Sequence, residues 1–383
     1  MPAARARKPS GIGLPIGRRP ILTSAFTGAP GIRGDSPAPR AFKRTVSGLT
    51  SGLSALPRGI RSAPCRAGTR SRELSPLDPH SPDSHHIATL WWWMLVVAGI
   101  VFLGAVAMLV VGWVRRDTPG LPILGSSEKA NTMLVVLFGI AIPLVILVAL
   151  FIVSDLVLLK ETDAPNADST AMTVTVTGHQ WFWQVRYDGT GAETANEIHI
   201  PVRTSVNLVV RSADVIHSFW VPELNRKIDT IPGQANAIEL YAEKAGVYRG
   251  QCAEFCGLQH AHMAFRVYAE PPARFRAWLA NMERPAVEPT SPESKLGQRY
   301  FMEDACASCH TIAGTEAQGT VGPNLTHLAS RQTIAADTLG NTPPNLFRWI
   351  RNPQSVKPGA KMPGLGLGAA RYHAIVAYLA GLR

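Results

Sequence analysis

Two short stretches of this sequence collect side chains that bind metals or attach cofactors. The first is Cys306-Ala307-Ser308-Cys309-His310, a C-x-x-C-H motif. Its two thiols can add to the vinyl groups of a haem, and the histidine that follows them is placed to bind the iron. A thioredoxin-like redox pair also has the C-x-x-C spacing, but the βαβ pattern around such a pair is missing here. We therefore predict a covalently attached c-type haem.

The second axial ligand of this haem iron is predicted to be Met362, in a Lys-Met-Pro-Gly stretch before the last predicted helix. A His/Met ligand pair gives a higher redox potential than two histidines. Met302 lies too close in sequence to the attachment motif to reach the opposite face of the haem. His327 and His373 are expected to be surface residues.

The second stretch holds Cys252, Cys256, His260 and Met263 within twelve residues. Two thiols, an imidazole and a thioether form a soft ligand set that suits copper, whereas zinc would favour more cysteine or histidine. A second imidazole must come from elsewhere, and His217 is the candidate. A disulfide between the two cysteines is the structural alternative, but it leaves the histidine and the methionine unexplained.

Short β-strands are predicted to position these copper ligands. Apolar and polar residues alternate with period two in several short runs that are separated by turn residues, which is typical of strands in a sandwich. The clearest runs are 172–177, 197–200, 206–210 and 237–241. The sequence therefore predicts an all-β sandwich over residues 170–283, closed by a short helix at 275–282.

The haem motif belongs to a third region, residues 293–383, which is helical at both ends and rich in Gly and Pro between them. Residues 284–292 contain three prolines and are predicted to form a linker. A short helix is expected just before the motif, at residues 297–301. The last helix is expected at residues 369–382.

Two apolar stretches precede the sandwich. Residues 91–114 carry no charge, and residues 131–159 are interrupted only by Pro143 and Asp155. At about 1.5 Å per residue, each stretch can cross a hydrocarbon core of about 30 Å. Both are longer than the roughly 10–14 residues typical of a buried helix in a soluble protein. We predict a hairpin of two transmembrane helices within residues 86–160.

The orientation of this hairpin follows from the short loop between its helices. Arg115, Arg116 and Lys129 flank the loop, and basic loops are retained on the cytoplasmic side. The sandwich and the haem region are therefore expected on the outer face of the membrane.

The first 85 residues are basic and rich in Pro, Gly and Ser. They hold 14 of the 38 Lys and Arg residues but only four acidic ones, and so carry +10 of the formal net charge of +11. This composition predicts a segment that is disordered, cleaved or not translated. Because the charge is confined to it, we do not predict nucleic-acid binding. A lipoprotein signal ending at Cys65 is an alternative, although the residues before it lack a clean apolar core.

Residues 177–263 resemble subunit II of the haem–copper cytochrome c oxidases, and residues 292–383 resemble class I cytochrome c. The first resemblance is carried by Gly178-His179-Gln180-Trp181-Phe182-Trp183, the segment around His217, Lys227-Ile228-Asp229 and the loop from Cys252 to Met263. The second is carried by Gly297, Tyr300-Phe301, Gly322-Pro323-Asn324-Leu325 and Tyr378-Leu379. The implied fold is multi-domain: a transmembrane hairpin, an all-β cupredoxin-like sandwich and an all-α cytochrome c domain.

The oxidase resemblance implies a binuclear copper centre in the sandwich. Cys252 and Cys256 would bridge both metal ions, His217 and His260 would each bind one, and Met263 would be a weak ligand.

Two more residues receive roles from the same resemblance. Glu254 would offer its backbone carbonyl to copper and its side chain to a magnesium ion shared with subunit I. Trp181 would be the point at which electrons arrive from cytochrome c, with packing as its structural alternative. The family's glutamate for proton uptake at the start of the second helix has no counterpart in residues 133–138, and Glu128 lies upstream of that position, so this role is not carried over.

The function implied is that of an oxidase subunit in the inner membrane of a bacterium. Electrons from a soluble or membrane-bound cytochrome donor would pass through the haem and the copper to a haem in subunit I, where oxygen is reduced. Partners would be subunit I, other oxidase subunits and the lipid bilayer. Alternatives are a carrier for a nitrous oxide or nitric oxide reducing complex, a quinol oxidase subunit with a structural β domain, and a copper chaperone or sensor.

Overall fold

The computed structural model describes residues 74–114, 127–156, 165 and 167–383. Most of the predicted basic extension, with Cys65, lies outside these ranges. So do Arg115 and Arg116 of the predicted cytoplasmic loop and the last three residues of the second predicted helix.

Two long apolar helical segments come first. Helix α1 spans Pro82–Val114, and a second segment consists of α2 (Glu128–Val136), a π-helical turn (Leu137–Ala141) and α3 (Ile142–Ser154). The mean hydropathies of an 18-residue window in each are 2.9 and 3.2, and both segments are long and apolar enough to cross a membrane. Because Pro143 has no backbone N–H, the wider turn before it accommodates the proline ring without ending the helix.

Helix α1 begins before the apolar stretch that predicts it, and its start is attached to the sandwich. His80, Ser81 and Ser84 are buried. The His80 N–H donates to the Glu223 carbonyl at 2.8 Å, and the His80 carbonyl accepts from the Glu243 N–H at 2.9 Å. The prediction that placed residues 80–85 in a disordered extension is corrected here, because composition alone does not show these tertiary contacts.

The middle of the chain is a sandwich of two five-stranded sheets, with strand orders β3-β2-β1-β5-β8 and β4-β10-β9-β6-β7. One apolar core between the sheets includes Trp183, Leu208 and Phe265. Helix α4 packs Phe275 onto this core. The bounds are β1 Met172–His179, β2 Phe182–Tyr187, β3 Glu193–Ala195, β4 Glu197–Pro201, β5 Val206–Ser212, β6 His217–Trp220, β7 Ile228–Thr230, β8 Asn236–Leu240, β9 Gly246–Cys252, β10 Ala264–Glu270 and α4 Pro272–Met282.

The C-terminal region is helical, with a second apolar core. Helices α5 and α8 pack against each other, and Phe301 meets Tyr378 edge to face at 6.0 Å. The bounds are α5 Pro292–Glu303, α6 Cys306–Cys309, β11 Thr333–Ile334, β12 Leu339–Gly340, α7 Pro343–Arg351 and α8 Ala369–Leu379.

Polar contacts join the helical region to the sandwich. Asp337 accepts from Arg266 Nε at 2.7 Å and lies 3.5 Å from Arg249 Nε. Glu197 in β4 accepts from the Gln332 N–H at 2.7 Å. All five residues of β4 are buried, although the alternating pattern predicts one exposed face. The helical region covers Glu197 on the polar face of this strand, whereas His199 on the same face stacks against Trp278 of α4 at 4.0 Å.

The segment that joins the sandwich to the helical region is hydrogen-bonded at its start to the helical region. The Arg284 carbonyl accepts from His327 Nε2 at 3.0 Å, and the Ala286 N–H donates to the Ala313 carbonyl at 2.9 Å. His327 is 2% exposed, so the expectation of a surface residue is wrong. Its ring is buried because it bonds to this segment. His373 is exposed, as expected.

Candidate copper and haem sites

The predicted copper ligands converge at one end of the sandwich. His217 begins β6 and Cys252 ends β9, and these strands are antiparallel neighbours. The loop after β9 then turns back through Cys256 and His260 to Met263, directly before β10. Two strand ends and one tight loop therefore bring distant parts of the sequence together.

The distances between these donor atoms are short. Cys252 Sγ lies 3.9 Å from His217 Nδ1 and 3.8 Å from Cys256 Sγ. Cys256 Sγ lies 3.6 Å from His260 Nδ1 and 3.7 Å from Met263 Sδ. The sulfur atoms are too far apart for a disulfide, whose S–S bond is about 2.05 Å. Both cysteines are free.

This donor set fits a thiophilic cation. A hydrogen bond from Cys256 lowers the pKa of Cys252, and the resulting negative charge raises the pKa of Cys256. Two thiolates this close repel each other, so a bound cation is required to keep both ionised. Their burial with a thioether and two imidazoles favours copper over harder metals.

Neighbouring groups fix the His217 ring. Its Nε2 lies 2.9 Å from Asp214 Oδ1, which leaves Nδ1 directed at Cys252. A Cβ on Gly178 would come within 2.8 Å of the ring, so only glycine leaves room for it. Motif spacing did not indicate Asp214, although a carboxylate that orients a metal-binding histidine is a recurring arrangement.

Glu254 approaches the site through its backbone. Its carbonyl oxygen lies 3.3 Å from Cys252 Sγ, on the same side as the other donors. The side chain is half-buried, and its predicted magnesium role stays a prediction. His262, which is not a predicted ligand, is exposed and lies 2.9 Å from Gln259 through its Nδ1.

The haem motif lines a cavity of about 450 Å³ that is enclosed mostly by the helical region and on one side by residues of the sandwich. Cys306, Cys309 and His310 form one wall, and Met362 contributes from the loop before α8. Met302 is not among the lining residues but packs against the apolar core. The cavity walls are mainly apolar, which suits a porphyrin ring.

The His310 ring is oriented for binding through one nitrogen. Its Nδ1 lies 2.8 Å from the Pro323 carbonyl, to which it must donate, and this leaves Nε2 as the free donor atom. A Cβ on Gly322 would come within 2.5 Å of the ring. Burial lowers the pKa of this imidazole, which favours the neutral form that binds metals.

Trp181 connects the two sites. Trp181 is one of the residues that line the haem cavity, and its Nε1–H donates to the carbonyl of Cys256 at 3.0 Å. Gln180 donates to the same carbonyl at 2.8 Å. One residue therefore lines the haem cavity and also binds the backbone of the copper loop.

Comparisons with known proteins agree with this arrangement. The family described as "Cytochrome C oxidase subunit II, periplasmic domain" matches residues 190–269, and the cytochrome c family matches residues 294–383. The cytochrome c oxidase subunit 2 of Alkalihalophilus pseudofirmus is 35% identical over 81% of this chain and 91% of its own length. This chain belongs to the cytochrome c oxidase subunit 2 family.

Further members of the family are similar over most or part of this chain. The subunit 2 of Bacillus subtilis is 28% identical over 81% of this chain and 92% of its own length. The crystal structure of the periplasmic domain of subunit II of cytochrome oxidase from Bradyrhizobium japonicum is 32% identical, with a TM-score of 0.30, over 31% of this chain and 96% of that one.

Membership of the oxidase family confirms the predicted fold class, of two apolar helices, a cupredoxin-like sandwich and a cytochrome c domain. It also confirms that the chain is an oxidoreductase subunit. The two matched domains imply copper in the sandwich and haem in the helical domain. The apolar helices and the periplasmic domain fit a membrane protein.

Proposed function

We propose that this subunit relays electrons from a cytochrome donor to the haem of oxidase subunit I, first through a haem c and then through a binuclear copper centre. Cys306 and Cys309 would hold the haem covalently, with His310 and Met362 as axial ligands. The observation that carries the proposal is the position of Trp181, between the haem cavity and the Cys256 carbonyl.

The side chains of the sandwich would hold two copper ions with little rearrangement. Cys252 and Cys256 would bridge them, His217 and His260 would bind one each, and Met263 and the Glu254 carbonyl would complete the site. Thiolate-bridged copper, when bound, would accept and release one electron with a small change in structure. The ligands would serve this purpose by staying fixed, because reorganisation slows electron transfer.

The remaining parts of the proposal concern location and partners. Both domains would lie on the outer face of a bacterial inner membrane, anchored by the two apolar helices. Subunit I, further oxidase subunits and a soluble or membrane-bound cytochrome c would be the protein partners. Glu254 would bind a magnesium ion at the contact with subunit I. The domain limits would be residues 86–160, 170–283 and 293–383, with a linker at 284–292.

The test is metal analysis and rapid kinetics on the full chain within the purified oxidase. We expect two copper ions per covalent haem, and an electron placed on the haem should then appear at the copper. Cys252→Ser should abolish the thiolate-to-copper absorption bands and leave the haem spectrum unchanged. Haem without copper, together with a Cys252–Cys256 disulfide, would contradict the relay.

A further inference from the structure

A buried lysine lies where the cytochrome domain meets the copper loop. Lys357 follows helix α7 and is only 3% exposed. Lysine is seldom this buried, because its ammonium loses strong hydration. Burial also lowers the pKa of Lys357 to about 8. Among the residues that the structure describes, no carboxylate forms an ion pair with it, so hydrogen bonds must compensate for its lost hydration.

Three backbone carbonyls surround the ammonium of Lys357. Its Nζ lies 3.1 Å from the Trp181 oxygen, 2.9 Å from the His262 oxygen and 3.4 Å from the Ala335 oxygen. An ammonium has three N–H donors, so each donor can have its own acceptor. The carbonyls belong to the turn before β2, the copper loop and the turn between β11 and β12. One side chain therefore joins three loops.

The distribution of these acceptors points to a role between the domains. Two of the three carbonyls lie on the sandwich, whereas Lys357 itself belongs to the cytochrome domain. A lysine that only stabilised its own domain would have no need of acceptors on the other one. Lys357 and Trp181 also line the haem cavity together. The contacts of Lys357 are therefore made at the lining of this cavity.

The turn that supplies the third carbonyl is held in an unusual conformation. Ala335, Ala336 and Asp337 have positive φ angles of 55°, 55° and 62°. Left-handed backbone is unfavourable for a residue other than glycine, because its Cβ comes too close to the following carbonyl oxygen. The Lys357 contact and the Asp337–Arg266 ion pair, at 2.7 Å, hold the turn against the sandwich. Such a turn persists only where its surroundings fix it.

We propose that Lys357 is a positioning residue for electron transfer, because it keeps the haem cavity against Trp181 and the copper loop. This inference rests on the proposed function. In the step concerned, one electron leaves iron(II) haem, which becomes iron(III), and reduces the oxidised copper pair. No bond forms or breaks and no proton moves. The rate then depends on the separation of the two centres, and loosening the contact slows the step.

The experiment compares Lys357→Met with Lys295→Met in the purified oxidase. Methionine is similar in length but lacks the three donors, and Lys295 is an exposed lysine in α5 of the same domain. The haem is reduced by a light pulse, and the copper absorption is followed. We expect Lys357→Met to slow transfer about tenfold, as small misplacements of reacting groups do, and to make it dependent on solvent viscosity. Lys295→Met should match the wild type, with both spectra intact in each variant.

A second variant separates position from charge. Lys357→Arg keeps the charge, but a planar guanidinium does not direct three donors from one nitrogen. We expect it to be slowed as well, and it carries the test if Lys357→Met fails to load its cofactors. Wild-type transfer in Lys357→Arg would show that only charge matters and would overturn the positioning role. Wild-type transfer in Lys357→Met with intact spectra would overturn it too.

A further readout does not depend on electron transfer. Amide hydrogen exchange in residues 335–338 should become faster in Lys357→Met and stay unchanged in Lys295→Met. Equal protection in both variants would contradict a clamp at this turn. If the wild-type oxidase showed no transfer from haem to copper at all, the proposed function itself would fail, whatever the variants did.

Discussion

The copper site and the haem site differ in how completely the folded chain positions their ligands without a cofactor. In the sandwich, the ligands already lie close together: four sulfur–nitrogen or sulfur–sulfur distances between them are 3.6 to 3.9 Å. In the cytochrome domain, the ligands line a cavity of about 450 Å³. The first site is a set of positioned donor atoms, and the second is a space that a large ring has to fill.

This difference has a physical origin in the two supports. Two of the copper ligands, His217 and Cys252, lie on strand ends whose positions are fixed by backbone hydrogen bonds across a sheet of five strands, and the others lie on the tight loop between β9 and β10. The haem ligands lie on a four-residue helix and on a loop. Their separation is therefore set by whatever occupies the cavity. We expect loss of the cofactor to affect the folding of the cytochrome domain much more than that of the sandwich.

The largest effect is expected from removing the haem attachment with Cys306→Ala/Cys309→Ala. An unfilled cavity of this size would cost on the order of 10 kcal/mol if it stayed dry, which is comparable to the whole stability of a domain. The cytochrome domain should lose its near-UV circular dichroism and its resistance to protease, while the sandwich still binds copper.

The matched control for the haem variant removes the other set of thiols. Cys252→Ser/Cys256→Ser should lose copper but keep both domains folded, because the strands hold the site without it. If the cytochrome domain stayed protected from protease without its haem, the two sites would not differ in their dependence on the cofactor.

An intermediate effect is expected from Met362→Leu, which keeps the volume of the side chain but removes its sulfur. Loss of a thioether ligand should lower the midpoint potential of the haem by on the order of 100 mV. Redox titration measures this shift. Met302→Leu is the control, because Met302 does not line the cavity. Equal potentials in the two variants would exclude Met362 as the axial ligand.

The smallest effect concerns His199 in the sandwich, away from both sites. Burial lowers its pKa, but the carboxylates of Glu197, at 4.0 Å, and Glu270, at 3.2 Å, outweigh burial and raise the pKa. The stabilisation that this histidine gives is therefore fully present below its unfolded pKa and is lost as pH rises through the folded pKa. Denaturant unfolding at several pH values between about 6 and 9 should show the sandwich becoming less stable.

The control for this pH dependence is a pair of neutral substitutions. His199→Gln should flatten the decrease in stability, since the amide does not titrate. His373→Gln, at an exposed position in α8, should leave the decrease as it is in the wild type. If His199→Gln kept the same slope, another group would be responsible.

The sequence alone predicts the fold class and the residues that converge at each site. Cys252, Cys256, His260 and Met263 belong to one short loop, and C-x-x-C-H is a local motif, so local spacing carries most of the information. His217 also joins the copper group because its strand pairs with the strand that ends in Cys252.

The sequence does not indicate the contacts between the domains. Lys357, Asp337 and Glu197 make contacts with partners 70 or more positions away. No periodic pattern in the sequence predicts such a contact. The same limitation explains the wrong expectation for His327 and the exposed face expected for β4. The way in which two domains dock depends on the shapes of their folded surfaces.

The contacts at the start of the segment joining the two domains have a kinetic consequence. Because the carbonyl of Arg284 and the N–H of Ala286 are both held by the cytochrome domain, only a short length of chain separates this domain from the end of the sandwich. A tethered partner acts at an effective concentration in the millimolar range or above. Under the proposed function, transfer between the two centres is unimolecular, so neither dilution nor salt should change its rate.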